Sequence, residues 1–165
     1  MAFNTNSPTV GKRIPERISM AVECLRQSRA AEAFLLLSEP GVEKEPAGCF
    51  ALGLCYLRAG ELPRAISCFE QALNIFRAMP SRPPARTETG EIHLKLAMKQ
   101  IAEKVYLAPM DAEFCALFPK AAEQSTLMAL VDSCRQIGMI EQARRFSAGL
   151  NGPEFAEYKN KLNIN

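Results

Sequence analysis

Between Cys49 and Ala72 the chain reads CFALGLCYLRAGELPRAISCFEQA, and this stretch limits the fold more than any other. Gly53 and Ala65 are small where two helices of one hairpin would approach most closely. Tyr56 and Phe69 are large enough to fill the gaps beside them, as close-packed interiors require. Gly60 stands where the first helix must stop, because glycine takes the left-handed C-terminal position without a Cβ penalty. Pro63 follows in the first turn of the next helix, where a missing N–H costs nothing. One such hairpin cannot bury its apolar face alone, so the pattern demands stacked neighbours of the same kind.

Leu52-Gly53, Tyr56, Gly60, Ala65, Phe69 and Ala72 have the spacing of a tetratricopeptide repeat, and the segment resembles that family. Cys49 stands where the family usually has Trp. The resemblance implies helix–turn–helix units of about 34 residues, stacked in a right-handed superhelix whose inner surface binds a partner.

Apolar periodicity near 3.6 dominates the chain, and no alternating run argues for a strand. Sliding the same spacing along the sequence lays out about four hairpins and an all-α fold. Cys24, Ala33 and Leu37 repeat the Tyr56, Ala65 and Phe69 spacing in a first hairpin (17–38), with Ser28 in the place of Gly60. The second hairpin, 46–79, is the clearest. A third pairs residues 90–107 with 109–117, through the stripes Leu94, Ala97, Met98, Ile101 and Met110, Phe114, Leu117. In the fourth, 119–150, Leu127, Leu130, Cys134, Gly138 and Ala143 repeat the offsets of Cys49, Leu52, Tyr56, Gly60 and Ala65. The expected organisation is a tail over 1–13 and one helical-repeat domain over 14–165. Within that domain lie a Pro-rich loop over 80–90 and a capping helix over 153–162.

The length of 165 residues suits one domain, and 48% apolar residues can build a core. No run reaches the roughly 20 apolar residues of a membrane span, and the first residues lack a signal-peptide core. A net charge of +2 gives no general reason to expect nucleic acid or an anionic membrane as partner. The six cysteines include no C-x2-C pair, which favours reduced core thiols in a cytoplasmic protein over a metal site or disulfide framework. No cofactor is expected.

No catalytic or phosphate-cradling motif is present, and the single imidazole, His93, has no nucleophile or orienting partner at a useful spacing. The chain is expected not to be an enzyme. The family resemblance implies that the first helix of each hairpin lines a partner groove. It places Ile18, Val22, Leu25 and Arg26 there from the first hairpin, and Phe50, Leu54, Leu57 and Arg58 from the second. The third and fourth would add Ile92, Lys95, Lys99, Ser125, Met128 and Arg135. The expected groove is therefore apolar toward the N-terminus and basic near Lys95 and Lys99, fit for an apolar or amphipathic protein segment with an acidic group. The array's own tail or Pro-rich loop is the alternative occupant.

The lysine-and-asparagine clamp with which chaperone-binding relatives hold a terminal carboxylate is not reproduced, since Phe50 and Leu54 stand in its places. The expected function is an adaptor or scaffold for a protein or peptide partner, and a homodimer is compatible with it. A small secretion chaperone holding an apolar client segment is the second reading. A third comes from LMALVDSCRQIGMIEQARRF, which is also similar to a pentatricopeptide repeat, a reader of single-stranded RNA. Glu123, Asp132 and Glu141 interrupt the basic stripe that RNA would need.

Overall fold

The structure is a computed structural model and describes residues 10–80, 88–102 and 108–163. Most of the expected tail and residues 81–87 of the Pro-rich loop lie outside the described residues. Helix α1 spans Val10–Arg26, so helical backbone starts ahead of residue 14. It is followed by α2 (Ala30–Leu37), α3 (Pro46–Arg58), α4 (Leu62–Ala78), α5 (Glu88–Ala102), α6 (Ala112–Leu117), α7 (Pro119–Gln136), α8 (Ile140–Ser147) and α9 (Ala156–Asn163). Among the described residues there is no strand.

Three hairpins make the stack: α1 with α2, α3 with α4, and α7 with α8. The second helix of each pair packs on the first helix of the next, α2 on α3 and α4 on α7. All three hairpins turn by the same device. Gly60 N–H donates to Leu57 O and Glu61 N–H to Tyr56 O; Gly138 and Met139 repeat this with Arg135 and Cys134; Ser28 and Arg29 repeat it with Leu25 and Cys24. This is the Schellman ending, which satisfies carbonyls that a helix C-terminus otherwise leaves without donors. Its left-handed residue is Gly60 (φ 79°), Gly138 (φ 78°) and, unusually, Ser28 (φ 61°).

The expected close approach in the second hairpin is present. Gly53, Ala65 and Phe69 are buried, and the Phe69 ring lies 5.3 Å from that of Phe50. Tyr56 turns toward the preceding hairpin, edge-on to Phe34 at 5.6 Å.

The third expected hairpin does not take its place in the stack. Because α4 packs directly on α7, α5 and α6 are an insertion rather than a layer. Pro119 and the Asp111 cap leave α6 only six residues, about 9 Å of helix, too short to cover a neighbouring hairpin. Instead α5 rests on α7 and on the 3-10 turn Pro153–Phe155, while α6 lies against α1, α3 and α7.

The C-terminal cap is that 3-10 turn followed by α9. Phe155 is fully buried, and Tyr158 donates to Asp132 Oδ1 at 2.6 Å. Gln124 fixes the approach to the cap, donating to Gly149 O (3.1 Å) and accepting from Asn151 N–H (2.8 Å).

Candidate functional site

The first helices of the three hairpins, α1, α3 and α7, define the inner face. Ile18, Val22, Leu25, Phe50, Leu54 and Met128 were expected to line it openly, yet none is more than 2% exposed. They belong to one continuous apolar core, and this corrects the expectation of an open apolar groove. Met110 and Cys115, from the segment around α6, join the same core together with Phe118. The other occupants expected for the groove, the tail and the Pro-rich loop, fall mostly outside the described residues.

The other expected groove residues are dispersed. Leu57 is half-buried against the core. Arg58 is exposed and donates from Nη1 to Leu25 O at 3.3 Å, placing a cation at the C-terminal end of α1, where the helix dipole favours it. Lys95 and Lys99 are exposed on α5, and Arg135 is exposed on α7 near Tyr158. The structure does not gather these cations with the apolar set.

What the inner face does present is a cleft of about 650 Å³ between α5 and α6. His93, Leu96 and Ala97 supply one wall, and Asp111, Glu113, Phe114 and Leu117 the other. Arg26 from α1 and Ser125 from α7 also line it, both at inner-face offsets expected from the repeat. Asp111 organises the cleft twice over. Its Oδ1 accepts from Phe114 N–H at 2.7 Å and starts α6, while its Oδ2 pairs with Arg26 Nη2 at 3.3 Å.

The interior of the cleft is aromatic. The His93 ring stands nearly perpendicular to Phe118, 4.7 Å between centroids, and Phe114 lies 5.5 Å from Phe118. At its mouth Leu96 is 57% exposed and Leu117 55%, with Ile92 one turn before Leu96 also exposed. Apolar walls with one ion pair suit an apolar side chain accompanied by a polar group. Sequence reasoning missed Leu96, Asp111 and Phe118. The signal available was the Pro109–Pro119 bracket, which allows only a short helix between two stops.

A second cleft, of about 440 Å³, opens between α2 and α3 beside Phe34, Cys55 and Tyr56. Arg64 lies over the Tyr56 ring at 5.8 Å.

All six cysteines are free, five of them buried. Burial pushes the Cys49 and Cys115 thiols up to about 12, and those of Cys55 and Cys68 to about 11. Cys49 Sγ donates to Glu43 O at 2.9 Å. Among the described residues no three His, Cys, Asp or Glu side chains come together as a metal site would require.

A family model described as tetratricopeptide repeat matches residues 46–78. No curated protein and no solved structure matches the chain. The matched segment covers α3 and α4, including the buried contact of Gly53 with Phe69 and the Gly60 turn. Residues 46–78 match the tetratricopeptide repeat, and the described residues form an all-α array of helical hairpins similar to it.

Proposed function

We propose that this protein is a non-enzymatic protein–protein interaction module, a scaffold or adaptor that meets its partner at the α5–α6 cleft. The observation that carries the proposal is the exposed trio Ile92, Leu96 and Leu117, two of which line a largely apolar concavity. Single exposed leucines are ordinary on protein surfaces. Three such residues beside a cleft with aromatic walls have the character of a docking site. RNA is a poorer fit, because Arg26 is paired with Asp111 and Glu113 lines the same cleft. Among the described residues no helix is long and apolar enough to cross a membrane. The free thiols favour a reducing compartment, and we assign the protein to the cytoplasm on that ground.

The test is affinity capture of the tagged protein from its source cell, comparing wild type with Leu96→Asp and Leu35→Asp. Leu35 is even more exposed but lies on α2, outside the cleft lining. We expect one or more captured proteins to fall at least tenfold with Leu96→Asp and to persist with Leu35→Asp. An unchanged set with both variants contradicts the assignment of this site.

A further inference from the structure

We infer that Met110–Leu117 is an internal surrogate for the partner, and that the partner is a protein segment of the same chemistry. That segment is a short helix opened by a carboxylate that pairs with Arg26, with apolar side chains one position before it and three and four positions after. The inference rests on the reading of the chain as an interaction module and adds what the partner must look like. Its segment takes the place of the α6 wall of the cleft and meets the α5 wall, with Leu96, from that side.

Three observations carry it. First, α6 is foreign to the repeat architecture, since α4 and α7 pack together without it, yet it touches all three inner helices. It therefore occupies the surface that a stack of this kind offers to a ligand. Second, it is lightly held. Of its six residues only Cys115 is buried, with Phe114 half-buried and Met110 buried just before it. By contrast α7 buries twelve, and elements with few buried apolar side chains open at lower free energy than the core around them. Third, its polar anchor is exchangeable. The Arg26–Asp111 pair is 3.3 Å long, with the two side chains 49% and 39% exposed, the kind of ion pair that water and a competing carboxylate readily replace.

Removing α6 would uncover the part of the core on α1, α3 and α7 against which Met110 and Cys115 are buried, which then needs a new cover. A helix with equivalent anchors supplies it by helix-in-groove recognition. Because the internal segment is tethered, an outside segment sees only the fraction of molecules that are open, and its apparent affinity falls by that fraction.

The test adds a fluorescent peptide of residues 108–117 to the full-length protein and follows its anisotropy under reducing conditions. Cys115→Asp in the protein places a charge where the internal segment is buried and drives that segment out. The peptide should bind this variant at least tenfold more tightly than wild type, and Asp111→Asn in the peptide should weaken binding at least fivefold. Equal binding to both proteins overturns the inference. Hydrogen exchange on the wild type supplies a readout that does not depend on the variant folding. Amides of Cys115–Phe118 should exchange at least 100-fold faster than those of Phe50–Leu54 while α3 stays protected. Exchange of α6 only together with α3 makes it core and overturns the inference. If the peptide fails to bind while a cellular partner still depends on Leu96, the surrogate fails and the docking site stands. If the peptide binds as expected and no partner depends on Leu96, the docking site fails instead.

Discussion

Gly53 on α3 and Phe69 on α4 meet so closely that a Cβ on Gly53 would stand 2.5 Å from Cε1 of the Phe69 ring. Phe69 is fully buried beside Phe50 and has nowhere to retreat. In an ordinary helix interior Gly→Ala is stabilising by about 1 kcal/mol. Here the overpacking term is larger, and Gly53→Ala should lower stability by about 1–3 kcal/mol in urea unfolding. Ala65→Leu, at another fully buried small residue in the same hairpin, should act in the same direction with similar size. A melting temperature that rises with Gly53→Ala would mean that the two helices are not in this contact.

Ser28 is the one non-glycine residue with positive φ among the described residues. It holds the left-handed place that Gly60 and Gly138 hold in the other two turns. Ser28→Gly should therefore stabilise the protein by about 0.5–1 kcal/mol, and Gly60→Ala should destabilise it by about 1 kcal/mol. No atom lies within 4 Å of a Cβ added at Gly60, so the second effect reports backbone strain alone. Chemical denaturation of the two variants checks both signs.

The buried thiols make stability fall at alkaline pH. Burial raises the Cys49 and Cys115 values from 9.0 to about 12, and those of Cys55 and Cys68 to about 11. Between pH 9 and these values the unfolded chain has lost thiol protons that the folded chain keeps, so stability is complete below pH 9 and is lost as pH rises toward 12. At pH 8 native alkylation should mark Cys68 first, since it is the one cysteine that is not buried. Alkylation in denaturant without reductant should add six groups. Fewer than six would reveal a disulfide or a bound metal.

Tyr158 ties α9 to α7. Burial, then the hydrogen bond to Asp132 and its charge, hold the phenol well above its usual range. Tyr158→Phe keeps the ring and removes the bond, leaving Asp132 without that donor. We expect a loss of about 1–2 kcal/mol and faster proteolysis confined to the C-terminal cap. Uniform loss of protection through α3 and α4 would place Tyr158 in the global core instead.

How far the sequence could be read follows from which contacts are local. The Gly60, Ser28 and Gly138 turns were all legible, because a Schellman ending involves residues only a few positions apart. Gly53 and Phe69 were legible because a hairpin with a short turn fixes their pairing. The role of Met110–Phe118 was not, since it lies against α1 and α3, both far earlier in the chain, as well as against α7. Periodicity marked Met110 and Phe114 as apolar-facing without saying which surface they face. Phe50 and Leu54, expected to line an open groove, are buried in the core instead, with Phe50 against Phe69 of its own hairpin. Arg26 and Ser125, taken from the same offsets, line the cleft.

The central claim, docking at the α5–α6 cleft, is tested most directly by photo-crosslinking in the source cell. A benzophenone side chain is placed at Leu96 in one protein and at Leu35 in another, and adducts are identified by mass spectrometry. The account predicts a discrete protein adduct at Leu96, reduced by an excess of unlabelled wild-type protein, and none at Leu35. An adduct at Leu35 with none at Leu96 would contradict it and move the interaction to the outer face of α2.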